Sequence, residues 1–249
     1  MSALLEVRHL RKAYGALAAT DDVSLSVADG ELHAVIGPNG AGKTTLIDQL
    51  SGRAFGDSGV IRFAGADVSR VPMAGRVRRG LARSFQINSV LEGFSVLENV
   101  ALAVQARLGS SFRFFGAAAG ERALNEAAMG ALGRAGLADR AGRMAGTLSH
   151  GEKRQLEIAV ALATGARMLL LDEPLAGTGH AESAALIGLM RALKATHTIV
   201  LIEHDMEAVF ALADRVSVLV AGRVIATGTP AAVRADAGVR AAYLGDEAG

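Results

Sequence analysis

A short apolar run at residues 34–36 leads directly into the glycine-rich segment 37–45, which reads GPNGAGKTT. The segment fits the pattern G-x-x-x-x-G-K-[ST] at every position. Because glycine has no side chain, backbone N–H groups in such a loop can approach a polyphosphate closely. The next residues, as far as Gly52, predict a helix whose positive N-terminus would face the anion. This strand, loop and helix predict an α/β fold that binds a nucleotide.

The side chains of the loop have separate expected roles. Lys43 would reach the β- and γ-phosphates, and the hydroxyl of Thr44 would bind Mg²⁺. The residues expected to contact the nucleotide here are Gly37, Pro38, Asn39, Gly40, Ala41, Gly42, Lys43, Thr44 and Thr45.

Composition excludes several classes of protein. At 249 residues and 51% hydrophobic content, the chain can bury a substantial core. A net charge of +1 argues against a general nucleic-acid surface, and the absence of cysteine excludes disulfides and thiolate metal sites. The first residues lack a signal-peptide pattern, and no apolar run approaches the ~20 residues that span a bilayer. We therefore expect membrane association only through a partner.

One basic cluster stands out from this balanced charge. It consists of Arg76, Arg78, Arg79 and Arg83. Arginine side chains at such spacing are usually solvated. We expect them to form an exposed helix face.

The pattern of apolar residues predicts two β layers. Residues 4–36 are predicted to form an antiparallel hairpin layer with a turn at Asp29 and Gly30. Residues 168–171 and 198–202 are apolar without alternation, which is typical of strands covered on both faces. They predict a central, mostly parallel sheet. Residues 216–226 predict another hairpin, and residues 230–244 a helix.

Helical signals replace the β pattern between residues 86 and 165. Ser95 and Glu98 form a capping box that opens a helix through Leu102. We expect residues 109–120 to form a loop, where three phenylalanines either pack locally or face a partner. The chain is thus expected to be one domain, 1–249, with a core of residues 1–85 and 166–249 and an inserted helical subdomain at 86–165. The three phenylalanines are Phe112, Phe114 and Phe115.

Two further segments carry candidate functional residues: one is a helix start at Ser149, and the other is an acid pair at Asp172 and Glu173. Ser149 and Glu152 form a capping box before a helix of apolar periodicity. The apolar run 168–171 ends in Asp172 and Glu173, and an acid at the end of such a strand is the usual second Mg²⁺ contact beside a phosphate loop. Asp172 would hold the metal, and Glu173 could take a proton from water.

The glycine-rich loop, Gln86, residues 148–152, the acid pair and His204 occur in the order found in ATP-binding cassette (ABC) ATPases. The chain resembles this family over nearly its whole length. The resemblance implies a P-loop NTPase fold with a mostly parallel central sheet, an antiparallel β layer and an inserted α-helical subdomain. It also implies ATP and Mg²⁺ as cofactors.

The resemblance further implies individual roles. Tyr14 matches the aromatic that stacks on adenine, although a strand-end tyrosine could also pack on the hairpin. Gln86 matches the glutamine that touches Mg²⁺ and the attacking water, and His204 the histidine at the γ-phosphate. The expected catalytic residues are Lys43, Gln86, Glu173 and His204, and the expected metal ligands are Thr44, Gln86 and Asp172. Ser149, Gly151 and Glu152 are expected to contact ATP held by a second cassette.

The implied partners are a second ATPase subunit, identical or a sister chain, membrane permease subunits and, indirectly, an extracytoplasmic solute-binding protein. The implied location is peripheral, at the cytoplasmic face of the plasma membrane. Residues 156–159, 201–206 and 242–245 resemble importers of branched-chain amino acids and their urea and aromatic-acid relatives. A lipopolysaccharide-type exporter, a soluble cassette protein and a separate GTPase or kinase are the alternatives. The last should bring an Asn-Lys-x-Asp motif, which the sequence lacks.

Two motifs depart from the family pattern. His150 and Glu152 replace glycine and glutamine in the usual Leu-Ser-Gly-Gly-Gln, and we expect function to survive because Ser149 and Gly151 are kept. Gly179 stands where the family has Asp or Asn. This change removes a side chain that would help to couple two ATP sites.

Overall fold

The computed structural model describes residues 3–84, 90–109 and 118–241. Gln86, the three phenylalanines and residues 242–245 lie outside the described residues. The strands are β1 (Ala3–Tyr14), β2 (Leu17–Ala28), β3 (Leu32–Ile36), β4 (Ser58–Phe63), β5 (Ala66–Asp67), β6 (Leu81–Arg83), β7 (Met168–Asp172), β8 (Thr198–Ile202), β9 (Arg215–Val220) and β10 (Arg223–Gly228). The helices are α1 (Lys43–Ser51), α2 (Met73–Val77), α3 (Val96–Leu108), α4 (Ala118–Arg134), α5 (His150–Ala163), α6 (His180–Lys194), α7 (Met206–Leu212), α8 (Pro230–Ala235) and α9 (Ala237–Val239).

The central sheet has the strand order β10-β9-β3-β8-β7-β6. Strands β9, β3, β8, β7 and β6 run parallel, and β10 pairs antiparallel with β9. Every residue of β3, β7 and β8 is buried, as the apolar runs 34–36, 168–171 and 198–202 predict for strands covered on both faces. Their carboxyl ends lie side by side, since Val35 and Asp172 both align with Ile202. This edge of the sheet carries the predicted site residues.

A second sheet has the order β2-β1-β4-β5 and is antiparallel throughout. The predicted antiparallel layer is therefore present, and Asp29 and Gly30 do form a turn, but the prediction that this turn closes the hairpin of the layer is wrong. Asp29 and Gly30 connect β2 to β3, which lies in the other sheet, whereas the hairpin joins β1 to β2 at Gly15. The physical reason is that β3 is largely apolar, with His33 as its single polar residue, and is buried throughout, so it needs cover on both faces and enters the central sheet.

The elements between residues 96 and 163 are helical, as predicted. Both capping boxes form, with the hydroxyls of Ser95 and Ser149 accepting from the N–H groups of Glu98 and Glu152. Helix α3 extends to Leu108, six residues beyond the expected Leu102, and ends at Gly109 in the left-handed conformation. The expected C-terminal helix is broken at Asp236, which caps α9.

The expected solvated arginine face is wrong for two of its four members. Arg78 and Arg79 are exposed, but Arg76 and Arg83 are buried, and Arg83 belongs to a strand. The guanidinium of Arg76 donates to the carbonyl oxygens of Gln49 and Leu50 at the end of α1 and also to those of Ser69 and Val71. Buried carbonyls at a helix end need donors, and Arg76 supplies them. Burial lowers the pKa of Arg76 to about 10, which leaves it charged at neutral pH.

The core has two main parts. One lies between the two sheets and includes the apolar face of α1, and the other lies between the central sheet and helices α3 to α6. Helix α1 is therefore packed inside the protein, which fixes the loop that precedes it. Within the described part of the chain, no helix has both the length and the apolar character needed to cross a membrane.

Candidate nucleotide-binding site

The phosphate loop joins β3 to α1 and is held by neighbouring backbone on both sides. Gly42 has φ 101°, and a side chain there would collide with the carbonyl oxygen of Ala19 in β2. A side chain at Gly37 would collide with the carbonyl oxygen of Leu219 in β9. The N–H of Gly222 donates to Ala41 O at 2.9 Å. The loop therefore requires glycine at these positions for tertiary contacts as well as for phosphate access.

Lys43 is buried at the first position of α1. Its Nζ donates to the carbonyl oxygens of Gly37 (2.5 Å) and Pro38 (3.0 Å), so the ammonium group is folded back over its own loop. Burial lowers the pKa of Lys43, and the negative charges of Glu173 and Asp172 oppose that shift. The cation that would meet the phosphates is thus in place next to both acids.

A cleft of about 280 Å³ opens over this loop. Tyr14, at the end of β1, lies at its rim with 52% of its surface exposed, and Lys12 Nζ is 5.2 Å from its ring centroid. The ring is therefore not a core residue, and it lies at the rim where the predicted stacking on adenine would occur. The cleft is lined by Tyr14, Leu17, Ala19, Asn39, Gly40, Ala41, Gly42, Lys43, Thr44, Thr45 and Glu173.

The acid pair lies at the carboxyl end of β7. Glu173 lines the cleft and has a left-handed φ of 45°, a costly conformation for this residue type, while its N–H still donates to Ile202 O. Asp172 is buried behind it, and Arg83 from β6 donates to its Oδ2 at 2.7 Å. Arg83 also donates to Asp48 Oδ1 of α1 at 2.5 Å. Burial raises the pKa of Asp172, and the hydrogen bond from Arg83 opposes that shift.

His204 follows β8, the neighbour of β7, and its side chain is 61% exposed. Its backbone N–H donates to Oε2 of Glu203 at 2.9 Å. Glu203 itself is fully buried. The structure therefore brings Lys43, Glu173 and Asp172 together and places His204 on the adjacent strand end.

The predicted signature residues lie elsewhere on the chain, at the start of α5. None of them lines the cleft over the phosphate loop. Ser149 Oγ donates to Oε1 of Glu182 in α6 at 2.6 Å. The hydroxyl of Ser149, with smaller contributions from the N–H groups of Gly179 and Gly151, lowers the pKa of Glu182. A carboxylate thus already occupies the N-terminus of α5, where anions bind favourably.

Two of the departing residues, Glu152 and Gly179, make contacts within the chain. Glu152 accepts hydrogen bonds from the N–H of Ser149 at 3.0 Å and from Arg140 Nε at 2.9 Å, so its carboxylate is already paired within the chain. These bonds lower the pKa of Glu152. Gly179 lacks a side chain, but its N–H donates to Glu182 at 3.4 Å. The loop at Gly179 is therefore connected to the signature through Glu182.

Across residues 3–84, 90–109 and 118–241, no cluster of three or more His, Asp or Glu side chains could hold a metal ion unaided. The oxygens near the cleft include the hydroxyl of Thr44 and the carboxylate of Glu173, with the carboxylate of Asp172 close to Lys43. Mg²⁺ prefers such oxygens and normally keeps nucleotide phosphates and water in its shell. The donor set therefore fits Mg²⁺ bound together with a nucleotide.

Sequence reasoning missed three residues of this region: Arg83, Glu182 and Glu203. Glu203 carried a usable signal, since it follows an apolar strand as Asp172 does. Arg83 and Glu182 act through partners 89 and 33 residues away, which no local pattern specifies.

Comparison with known proteins shows the family of this chain. A family described as "ABC transporter" matches residues 20–176. The chain belongs to the ABC transporter family. A second family, described as "Branched-chain amino acid ATP-binding cassette transporter", matches residues 223–249 of the cassette. The predicted P-loop ATPase fold and the resemblance to this family are thereby confirmed.

Similar proteins align with the cassette over nearly its whole length. It is 37% identical to the high-affinity branched-chain amino acid transport ATP-binding protein BraF of Pseudomonas aeruginosa and 36% identical to LivG of Escherichia coli K12, over 98% of both chains in each case. It is also 36% identical to the lipopolysaccharide export system ATP-binding protein LptB of Acidithiobacillus ferridurans, over 99% of both chains. The crystal structure of the ADP conformation of MJ1267, an ATP-binding cassette of an ABC transporter, matches with a TM-score of 0.86, 29% identity and coverage of 98% of this chain and all of the other.

Proposed function

We propose that this cassette hydrolyses ATP to drive the import of branched-chain amino acids or closely related solutes. The observation that carries the choice of cargo is the match of residues 223–249 to the branched-chain amino acid family. The likeness to BraF, which extends over 98% of both chains, supports it. The similarity to LptB makes lipopolysaccharide export the competing function, but that similarity does not account for the match at residues 223–249.

In the proposed mechanism, the chain holds ATP between Tyr14 and the phosphate loop. Adenine stacks on the exposed ring of Tyr14, and the backbone N–H groups of the loop and the start of α1 bind the phosphates. Lys43 exchanges the carbonyl oxygens of Gly37 and Pro38 for phosphate oxygens. Little rearrangement is needed, because the ammonium group already lies over the loop.

The residues that would hold Mg²⁺ are Thr44, Asp172 and Gln86, which lies outside the described residues. Bound there, the ion would neutralise charge on the transferring phosphoryl group. Glu173 lines the cleft and would accept a proton from the attacking water. His204 would donate to the γ-phosphate from the next strand end.

The position of the signature supports a head-to-tail pair of cassettes. Ser149 and Gly151, at the start of α5, do not line the cleft of their own chain, so they would serve the ATP of another cassette once Glu182 gives up its bonds to them. Each complete site would then join one phosphate loop to the other chain's signature. The partner is either a second copy or a sister cassette.

A groove of about 560 Å³ between α2, β6, α3 and α5 supports docking to a permease. Its walls combine apolar side chains such as Val77 and Val160 with Arg78 and Arg107. We propose that it receives a permease segment with apolar and acidic residues at the cytoplasmic face of the plasma membrane. Arg107→Glu should then reduce co-purification with the permease while leaving hydrolysis by the isolated cassette unchanged.

The central experiment compares Glu173→Gln with wild type. We expect the variant to bind ATP with unchanged affinity and to lose nearly all hydrolysis, because glutamine cannot accept the proton of water. The same substitution at the exposed Glu207 is the matched control and should leave turnover unchanged. Steady-state hydrolysis by Glu173→Gln close to that of wild type would refute the assigned role.

A second experiment tests the cargo. The tagged cassette is isolated from membranes with its associated proteins, and the permease is reconstituted to measure uptake of labelled leucine and of urea. Saturable, ATP-dependent uptake of leucine supports the proposal. Isolation with subunits that extract lipopolysaccharide, and no uptake, supports the exporter instead.

A further inference from the structure

A fully buried carboxylate connects the two loops that carry the proposed catalytic residues. Oε1 of Glu203 accepts the backbone N–H of Leu175 at 2.9 Å. Its Oε2 accepts the N–H of His204 at 2.9 Å and that of Asp205 at 3.4 Å. Leu175 lies two residues after Glu173, so one side chain joins the loop after β7 to the loop after β8.

The burial of Glu203 makes this connection specific. An isolated carboxylate in a protein interior is very costly unless hydrogen bonds or a cation compensate it. In the described part of the chain, its nearest basic group is Nδ1 of its neighbour His204, at 3.7 Å. Backbone N–H groups from two loops therefore supply most of the compensation, and the carboxylate is stable only while both loops keep their places.

We propose that Glu203 is a positioning residue, whose carboxylate fixes the loop carrying Glu173 relative to the loop carrying His204. The sheet already joins the two strand ends, since the N–H of Glu173 donates to Ile202 O. Glu203 extends this connection beyond the sheet, to residues that no longer pair as strands. The inference rests on the proposed function, because it assigns Glu203 an effect on Glu173 and His204 in hydrolysis.

The substitution Glu203→Gln tests the proposal with little change in volume. An amide has one oxygen and one NH₂ group, and the NH₂ group cannot accept from a backbone N–H. One of the two loops must therefore lose its bonds. We expect kcat to fall at least about tenfold with KM for ATP changed less than about threefold, since small misplacements of catalytic groups reduce turnover strongly.

A matched control lies two residues away. Asp205 caps α7 by accepting the N–H of Ala208, and asparagine caps helices as well as aspartate does. Asp205→Asn therefore makes the same chemical change with little effect expected on kcat. Should Glu203→Gln not fold, Glu203→Asp keeps the charge but is one methylene shorter, so it can bind its own loop and not Leu175.

Two readouts separate positioning from general stability. In a double-mutant cycle, Glu203→Gln should reduce kcat much less in a His204→Ala background, because interacting residues are not additive. In amide NMR spectra, the resonances of Leu175 and His204 should both move in Glu203→Gln, whereas Asp205→Asn should leave Leu175 unmoved. Equal losses of kcat in both backgrounds, or an unmoved Leu175 amide, would overturn the proposal.

These readouts also distinguish this inference from the proposed function. If His204→Ala hydrolyses ATP as wild type does, the assigned role of His204 fails. The two amide resonances then still decide whether Glu203 joins the loops.

Discussion

Replacing Arg83 with methionine should destabilise the nucleotide-free protein strongly. The side chains of Arg83 and Asp172 are each only 2% exposed, and their charged atoms are 2.7 Å apart. Methionine fills a similar volume but leaves the carboxylate of Asp172 buried without its cation. Glu173 and Asp48 already disfavour the charge on Asp172, and the nearby Lys43 would offset the loss of Arg83 only in part.

The expected magnitude follows from this burial. Removing one partner of a buried ion pair costs about 3–5 kcal/mol in free energy of unfolding. For a chain of this length, that corresponds to a fall in Tm of about 6–20 °C. The cost should shrink as pH falls, because protonation of Asp172, whose pKa is raised in the folded protein, removes the uncompensated charge.

The assay is urea unfolding in EDTA without nucleotide. Arg167→Met is the matched control, since Arg167 is 54% exposed and its pair with Asp29 at 3.4 Å should contribute under about 1 kcal/mol. Asp172→Asn should destabilise the wild type but stabilise Arg83→Met. A loss below about 1 kcal/mol in Arg83→Met, or no recovery with Asp172→Asn, would refute the reasoning.

Three other predictions follow from the same contacts. Arg76→Met should lose about 3 kcal/mol in urea unfolding because buried carbonyls lose their donors, and the exposed Arg78→Met should lose almost nothing. Glu182→Ala should lower the concentration of a non-hydrolysable ATP analogue needed for dimerisation in light scattering, since the carboxylate no longer competes for Ser149; an unchanged or higher concentration contradicts this. Gly42→Ala should weaken nucleotide binding at least about tenfold in fluorescence titration, whereas Gly65→Ala, also at positive φ but in open space, should not.

Local chemistry explains which features the sequence predicted. The capping boxes at Ser95 and Ser149 and the helix after the phosphate loop depend on residues at most a few positions apart, and all form as expected. The sequence predicted the buried strands equally well, because a continuous apolar run is typical of a strand that is covered on both faces.

The remaining features depend on contacts between distant segments. Asp29 and Gly30 look like a hairpin turn, but the partners of β3 are β8 and β9, far along the chain. Arg76 looked like a surface residue because its four acceptors are backbone carbonyls, which have no sequence signature. The role of Arg76 therefore follows from its position in the fold, and the composition of the segment alone did not show it.

The phosphate loop also shows where its affinity for an anion originates. Its shape depends on Ala19 in one sheet, on Leu219 in the other and on Gly222 in the turn after β9, and of these three residues only Ala19 lines the cleft. The loop therefore loses its conformational entropy when the protein folds, and nucleotide binding does not have to order it again. The nucleotide therefore binds to a preorganised loop, and the geometry of that loop depends on how the two sheets are joined.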